Sequence, residues 1–343
     1  MFARWGLAIA ALAVSLSFFG CTSTAVPGAE RSLPLLSSDQ IPEARGSAID
    51  PVDALVRKLE REHEPPTSPH AIDSLVVQES PPSRAEDDDG RLLTFAPELS
   101  FGAVSGYVQV RENAVTGTRL NLHDLGMNTA STLSFGFGAK TDDHSDVWFR
   151  VRGFDARGSG TFGQDIFFNG VTYEAGEPVH SSLELYDLLL QYRGNVLDFG
   201  DGGHLQLLAG AEFHYLTFQA HGTVAPTSAG NEGQEHFWKQ ELPLPSLGAR
   251  VVYPLSSGVE LRAQAFGFSV HHLNSLRSEG GTIYLWQDNF EADAIVGVRL
   301  SDACWLDLGY RYSYLYMKEE SHEDMNKFLM RDSALVFGIR LRF

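Results

Sequence analysis

The final nine residues alternate between large apolar side chains and small or basic ones. Apolar side chains stand at every second position from Leu335 to Phe343, and the positions between them include Arg340 and Arg342. A β-strand directs successive side chains to opposite faces. One face of this strand therefore suits hydrocarbon, and the other face suits a polar, crowded interior.

The same alternation recurs along the chain and predicts ten strands, at 100–111, 131–140, 146–158, 181–193, 204–218, 243–254, 259–270, 290–300, 304–317 and 332–343. Short connections alternate with long ones, and the long ones lie at 112–130, 159–180, 219–242, 271–289 and 318–331. Outer-membrane barrels have short periplasmic turns and longer extracellular loops. We therefore predict an all-β, transmembrane, antiparallel up-and-down barrel with both termini in the periplasm. Ten strands, or alternatively eight, close the sheet without an edge.

The alternation also predicts which charged side chains face the lumen. They are Arg150, Arg152, Asp187, Glu212, Arg250, Glu260, Arg262, Glu291, Asp293, Arg299, Asp307, Arg311 and Arg340. Side chains nearly fill the interior of a barrel with so few strands. Paired across the lumen, these charges would form a plug. A narrow diffusion pore lined by the same charges is the alternative.

The first residues resemble a secretory signal. Arg4 precedes an apolar run from Trp5 to Phe19, which is short for a membrane span. We expect a signal peptide at 1–20, with Cys21 as the candidate lipidation site of a lipoprotein. An ordinary cleavage site at 23–25 is the alternative. The only other cysteine is Cys304, so no internal disulfide is expected in the lipidated chain.

Composition predicts a low-complexity periplasmic linker at 21–95, followed by the barrel at 96–343. Prolines recur in the linker, which ends near the acidic run from Glu86 to Asp89. Apolar spacing within it predicts a short helix at 51–64. The formal net charge of −18 excludes nucleic acid as a partner, because binding to phosphate requires a positive field. The expected partners are outer-membrane lipids and the barrel-assembly machinery.

Two segments, 117–127 and 166–176, resemble segments of uncharacterised small bacterial outer-membrane β-barrel proteins. The first reads GTRLNLHDLGM and is similar to a "GT-x-hydrophobic-x-L-x-x-DLG" pattern; the second precedes a predicted strand. The resemblance implies the barrel fold and an outer-membrane location, and it supplies no catalytic residues. The last strand resembles the terminal signal that the assembly machinery reads. Its residues would be Phe337, Ile339, Leu341 and Phe343.

Catalytic motifs are not evident in the sequence. Loop histidines lie near acidic residues: His271 and His272 near Glu279, and His214, His221 and His236 near Glu232 and Glu235. No H-E-x-x-H spacing occurs. The acidic run from Lys318 to Asp324 could bind a divalent cation, but such runs are usually solvated loops. We therefore predict a non-enzymatic barrel with a structural, anchoring or surface-interaction role, without cofactor or metal. A surface enzyme that hydrolyses lipid or peptide is the alternative.

Overall fold

Ten long antiparallel strands form a closed barrel. The computed structural model describes residues 92–112, 115–200, 202–225, 233–239, 243–278, 282–322 and 324–343, without the side chains of 112, 233–239, 277 and 278. The strands are β1 (Leu93–Glu112), β2 (Thr129–Asp142), β3 (Ser145–Thr161), β4 (Pro178–Asp198), β5 (His204–His221), β6 (Leu244–Ser256), β7 (Val259–Ser278), β8 (Thr282–Ser301), β9 (Cys304–Glu320) and β10 (Met325–Arg342). Each pairs with its neighbours in sequence, and β10 pairs with β1. No helix in the described part of the chain is long and apolar enough to cross a membrane.

The predicted fold class and the count of ten strands are confirmed, and the alternative of eight is wrong. The loops predicted at 271–289 and 318–331 are also wrong. In their place β7 and β8 continue to a connection at 279–281, and β9 and β10 continue to one at 321–324. The alternation persists there, with Ile283 and Gln287 buried and Trp286 partly exposed. These strands extend past the apolar part of the outer face, so polar side chains at outward positions do not mark the end of a strand there.

The outer face of the barrel carries an apolar band. Its exposed side chains include Leu99, Phe101, Leu133, Phe135, Phe137, Phe149, Leu188, Leu190, Leu207, Leu247, Phe290, Val296, Leu308, Leu335, Phe337 and Ile339. Residues at the intervening positions point inward and are mostly buried. Burial of polar side chains and exposure of large apolar ones is the reverse of the pattern in a water-soluble sheet.

The barrel closes where β10 meets β1. Sixteen residue pairs join the two strands, from Thr94 with Arg342 to Arg111 with Met325. Beyond the strand end, the Phe343 N–H donates to Leu93 O at 2.9 Å, and the Phe343 carbonyl oxygen accepts from the Leu93 N–H at 3.3 Å. The four side chains of the predicted assembly signal alternate outward, and Phe343 is exposed. Their recognition by assembly machinery stays a prediction.

Five shorter strands lie at the end of the barrel that carries the long connections, which we call the loop end. Val115–Thr116 and Leu120–Asn121 pair with β1 above the start of β2. Ile166–Phe168 and Val171–Tyr173 form a hairpin between β3 and β4, and Gly233–Lys239 pairs with β5. The other end, with short turns, is the turn end. The predicted signal peptide, Cys21, the helix at 51–64 and most of the linker lie outside the described residues.

Candidate functional site

Glu291, on β8, is the centre of a buried ion-pair cluster inside the barrel. Its carboxylate accepts hydrogen bonds at 2.5 Å from Arg150 Nη1 and from Arg152 Nη1, both on β3. Arg152 Nε donates to Asp187 at 2.5 Å, and Arg311 Nε lies 3.5 Å from Glu291. All five side chains are more than nine-tenths buried. Removal of either carboxylate would leave buried positive charge without its partner.

The same cluster reaches β1 through a residue that the sequence analysis did not select. Arg311 Nη2 donates to Glu98 Oε2 at 2.7 Å. Asp293 lies 3.8 Å from Arg311 and accepts a hydrogen bond from Gln264 at 2.8 Å. The Glu291 cluster therefore connects strands β1, β3, β4, β7, β8 and β9 across the lumen.

A second group, the Asp307 cluster, lies on β7, β9 and β10. Arg262 Nη2 is 2.5 Å from Asp307 Oδ2, and its Nε is 3.2 Å from Glu260 Oε1. Arg340 Nε donates to Asp307 at 3.3 Å, and its Nη2 donates to Glu260. Two arginines thus share two carboxylates in the interior.

Three predicted lumen charges have different surroundings. Glu212 is buried, accepts a hydrogen bond from Asn289 and lies 3.4 Å from His214. Arg250 donates to the side-chain amide oxygen of Gln206 at 3.1 Å. Arg299 lies at the turn end, where it donates to Asp302 at 2.7 Å. The hydrogen-bond acceptor of Arg250 is therefore an amide oxygen and not a lumen carboxylate.

An apolar core fills the loop end of the barrel, and we call it the loop-end core. Side chains from the connecting segments pack in it against inward-facing side chains of the wall. The segments contribute Leu120, Leu122, Leu125, Met127, Ile166, Phe168, Val171 and Tyr173, and the wall contributes Val104, Val108, Phe154, Leu183, Leu185, Leu216, Phe218, Leu315, Met317, Phe328 and Met330. Tyr173 Oη donates to Ala220 O at 2.7 Å and holds the hairpin against β5.

Glycines allow the first connecting segment to lie against β3. A Cβ atom on Gly158 or Gly160 would collide with the backbone of residues 124–127. Gly126 has a φ of +74°, which favours glycine at this turn. The segment that resembles small outer-membrane barrels, 117–127, is thus the part of the chain that closes one side of the loop end.

A cavity of about 240 Å³ opens at the turn end and is lined by seven arginines and six carboxylates. Arg193, on β4, is 5% exposed, and its guanidinium lies over the Trp148 ring with Cζ 4.2 Å from the ring centre. Its Nε donates to Gln191 at 3.0 Å, and the nearest carboxylate oxygen, on Asp146, is 4.0 Å away. Arg250 lines the same cavity. We call it the turn-end cavity.

A hydroxyl, an imidazole and a carboxylate meet on the outer face near the loop end. Ser269 Oγ donates to Asp288 Oδ1 at 2.6 Å, and His271 Nε2 lies 2.8 Å from the same oxygen. Ser269 Oγ and His271 Nε2 are 3.1 Å apart. Ser269 pairs directly with Asp288 across β7 and β8, which brings the groups together. We call these three residues the rim cluster.

The rim cluster stands at one end of an apolar groove of about 570 Å³ on the outer surface. The small residues Ala265 and Gly267 line the groove together with the larger Leu247, Phe290 and Tyr314. Beyond the cluster, a bulge places His271 and His272 opposite Trp286, and the His272 backbone has a φ of 58°. Bulges re-aim side chains and occur next to active sites.

The other loop groups do not form a comparable cluster. His214 points inward beside Glu212, with its ring 6.2 Å from that of Phe268, whereas the rim cluster is on the outer face; the His272 ring stacks on Tyr284 at 4.1 Å. Lys318 donates to Glu320 and lies over the Trp286 ring. The side chains of Glu232, Glu235, His236 and Glu279 lie outside the described ones. Within the described residues, no three histidine, cysteine or acidic side chains are placed to hold a metal ion.

Sequence reasoning selected His271 but missed Ser269, Asp288, Trp148 and Arg193. The S-x-H spacing on one strand puts Ser269 and His271 on the same face. Asp288 joins them only through the register of β7 against β8, which spacing along the chain does not reveal. Arg193 is on the inward face of a predicted strand, so alternation alone could have identified it.

Several solved barrels resemble this chain in architecture. No protein-family model matches it, and neither does any curated protein. The outer-membrane protease OmpT from Escherichia coli is 13% identical, with 73% of this chain and 97% of that chain covered and a TM-score of 0.41. The translocator domain of autotransporter NalP from Neisseria meningitidis is 15% identical over 75% and 90%, with a TM-score of 0.35. Neisserial surface protein A is 10% identical over 73% and 97%, with a TM-score of 0.30.

Proposed function

We propose that this chain is an outer-membrane barrel with a sealed lumen, and that its role is structural or lies in surface interaction. The filled interior is the observation that carries the proposal. The Glu291 and Asp307 clusters cross the lumen above the turn-end cavity, and the loop-end core occupies the loop end. A conducting pore needs a continuous polar path, and an apolar core across one end interrupts such a path.

The apolar outer band supports the membrane location, because it suits contact with the hydrocarbon of a bilayer. Closure of the barrel also leaves no strand edge with unpaired backbone groups in lipid. The short turns and both termini then belong on the periplasmic side. In cell fractionation, the protein should co-sediment with outer membrane. On gels, the unheated protein should migrate faster than the boiled protein. Recovery in the soluble periplasm would refute the location.

Solute exclusion tests the seal. Liposomes that contain the purified barrel should not swell in an isotonic solution of a small neutral sugar, whereas liposomes with a general porin should. Swelling at a rate that rises with the amount of folded barrel would favour the narrow diffusion pore instead.

A second candidate function is hydrolysis of acyl esters at the rim cluster. It is supported by the contacts of 2.6, 2.8 and 3.1 Å among Ser269, His271 and Asp288, and by the adjacent apolar groove. Such a groove suits an acyl chain, with the ester bond next to Ser269. Hydroxyl, imidazole and carboxylate within hydrogen-bond reach are the groups of nucleophilic acyl transfer.

The proposed reaction has two steps. Ser269 Oγ forms a bond to the ester carbonyl carbon while its proton moves to His271 Nε2, and that proton then passes to the alcohol as the ester C–O bond breaks. Water next hydrolyses the acyl-serine, which releases a carboxylic acid and restores Ser269. Asp288 contacts the same nitrogen that Ser269 contacts, so its role is to stabilise the imidazolium charge and not to orient Nδ1.

A p-nitrophenyl ester of a medium-chain fatty acid tests this second candidate. The folded protein in micelles should release nitrophenol above the micelle background, and S269A and H271A should lose that activity. S105A is the control, because Ser105 is exposed on β1 away from the rim cluster. Background rates for the unaltered protein, or full activity in S269A, would contradict ester hydrolysis.

A further inference from the structure

We infer that the turn-end cavity is a binding site for an oxyanion, either a carboxylate or a phosphate. The inference goes beyond the sealed lumen, because it concerns an open cavity below the ion-pair clusters. It starts from Arg193 and Arg250, the two lining arginines of the β4–β6 wall. Unlike Arg150, Arg311 and Arg340, they make no hydrogen bond to a carboxylate.

Burial makes the surroundings of Arg193 unusual. Its side chain is 6% exposed, yet its partners are the Gln191 amide oxygen and the face of Trp148. Asp146 at 4.0 Å is beyond hydrogen-bond distance. A buried charge is normally paired and hydrogen-bonded, because desolvation without a partner is costly. The remaining N–H groups of the guanidinium suit the oxygens of an anion.

The wall around Arg193 is shaped to hold the guanidinium in place. A Cβ atom on Gly136 or Gly138 would collide with the Trp148 ring, so these glycines make room for the ring on the inner wall. The ring in turn supports Arg193 from one side. Trp148 and Gln191 thus hold the guanidinium, and Trp148 and Arg193 line the cavity.

Strand register places Arg250 where it can share the anion. Arg193 on β4 pairs with Leu208 on β5, and Arg250 on β6 pairs with Gln206 on β5, so the two arginines stand two strands and two residues apart on the wall. Their Cα atoms are therefore about 12 Å apart, because neighbouring strands lie about 4.8 Å apart and each residue rises about 3.4 Å. A multi-oxygen anion between them would contact one guanidinium on each side, directly or through water.

The anion has two sources, and the chain itself is one of them. Leu92 lies at the cavity and binds the Lys140 N–H at 2.9 Å. The acidic run Glu86–Asp89 ends three residues before Leu92 in the sequence. Extended chain covers about 3.5 Å per residue, so the run reaches roughly 10–20 Å from Leu92. β4, which carries Arg193, is three strands from β1 and thus about 14 Å away along the wall, which is within this reach. The other source is free phosphate or a phosphate group.

Titration with inorganic phosphate tests the site in the full-length, folded protein. Thermal unfolding in micelles is followed by gel mobility, with chloride at equal ionic strength as the reference. A second protein carries E86Q, D87N, D88N and D89N, which removes the charge of the acidic run. R193Q and R250Q are made separately in both backgrounds. R157Q is the control, because Arg157 is 72% exposed and pairs with Asp155.

Two results would support the site and would identify the source. If the anion is free, phosphate raises the unfolding midpoint of the unaltered protein with a saturable dependence. If the acidic run fills the cavity, only the run-neutralised protein responds to phosphate. In the responding background, R193Q and R250Q should each weaken apparent phosphate affinity by about tenfold or more, since charge-assisted hydrogen bonds are strong. R157Q should match its parent.

Two other results would overturn the inference. One is the absence of any phosphate-specific stabilisation in both the unaltered and the run-neutralised protein. The other is a phosphate response in R193Q and R250Q equal to that of their parent. Arg193 has no carboxylate within hydrogen-bond distance, so we expect R193Q to fold, and R250Q provides an independent check at a second position on the same wall.

Discussion

At the scale of single residues, the interior depends on carboxylates that each serve more than one arginine. Glu291 contacts Arg150, Arg152 and Arg311, and Asp307 contacts Arg262 and Arg340. Sharing of this kind satisfies several buried guanidinium groups with few acids. It also makes the interior sensitive to the loss of a single carboxylate, because several positive charges lose a partner together.

Glu291→Gln should therefore destabilise the folded barrel by about 3–5 kcal/mol, the range for breaking a buried ion pair. Urea unfolding in micelles measures the change. Asp302→Asn is the matched control: Asp302 is 77% exposed and pairs with Arg299 at the turn end. Its expected effect is at most about 1 kcal/mol. Equal effects of the two changes would show that the Glu291 cluster does not hold the interior together.

At the scale of elements, β3 and the segment 117–127 determine how the loop end closes. Thr118 N donates to Phe167 O at 2.7 Å and Leu122 N donates to Gly106 O at 3.0 Å, so the segment is tied to β1 and to the hairpin. Gly158 and Gly160 let it lie directly on β3. These contacts place Leu122, Leu125 and Met127 in the loop-end core.

Gly160→Val should displace this segment from β3, because a side chain there would overlap the backbone at Asp124. Overpacking costs about 1–3 kcal/mol, so trypsin cleavage after the exposed Arg119 should accelerate by about tenfold or more. Gly163→Val is the control, since nothing lies within 4 Å of its Cβ position. Unchanged cleavage in Gly160→Val would mean that the close approach does not hold the segment.

The strands were predictable from sequence, but the closure of the loop end was not. Alternation in 335–343 depends only on neighbours along the chain, so it identified β10 and its two faces directly. The ends of β7 to β10 carry polar side chains at their outward positions, so alternation of apolar residues predicts loops there. Contacts such as Gly160 with Asp124, or Ser269 with Asp288, depend on register and on chain folding between distant residues. Neither the register between strands nor the folding of distant segments onto each other can be predicted from composition or from spacing along the chain.

At the scale of the whole molecule, polar and apolar side chains are segregated in three zones. An apolar band covers the outside, charged clusters occupy the inside, and the loop-end core closes one end. The turn-end cavity is the open part of the interior, and it ends at the Glu291 and Asp307 clusters. The arrangement gives a barrel whose interior holds the wall together and leaves its outer surface and turn end for interaction.

Conductance of the purified barrel in planar lipid bilayers tests the sealed lumen most directly. Insertion is verified by flotation and by gel mobility, and a general porin in the same membrane lipids serves as the positive control. Because ion-pair clusters and the loop-end core follow one another along the lumen, the inserted barrel should produce no steady current steps in 1 M salt. Reproducible steps that scale with salt concentration, and that change when Arg150 or Arg311 is replaced, would contradict the sealed barrel.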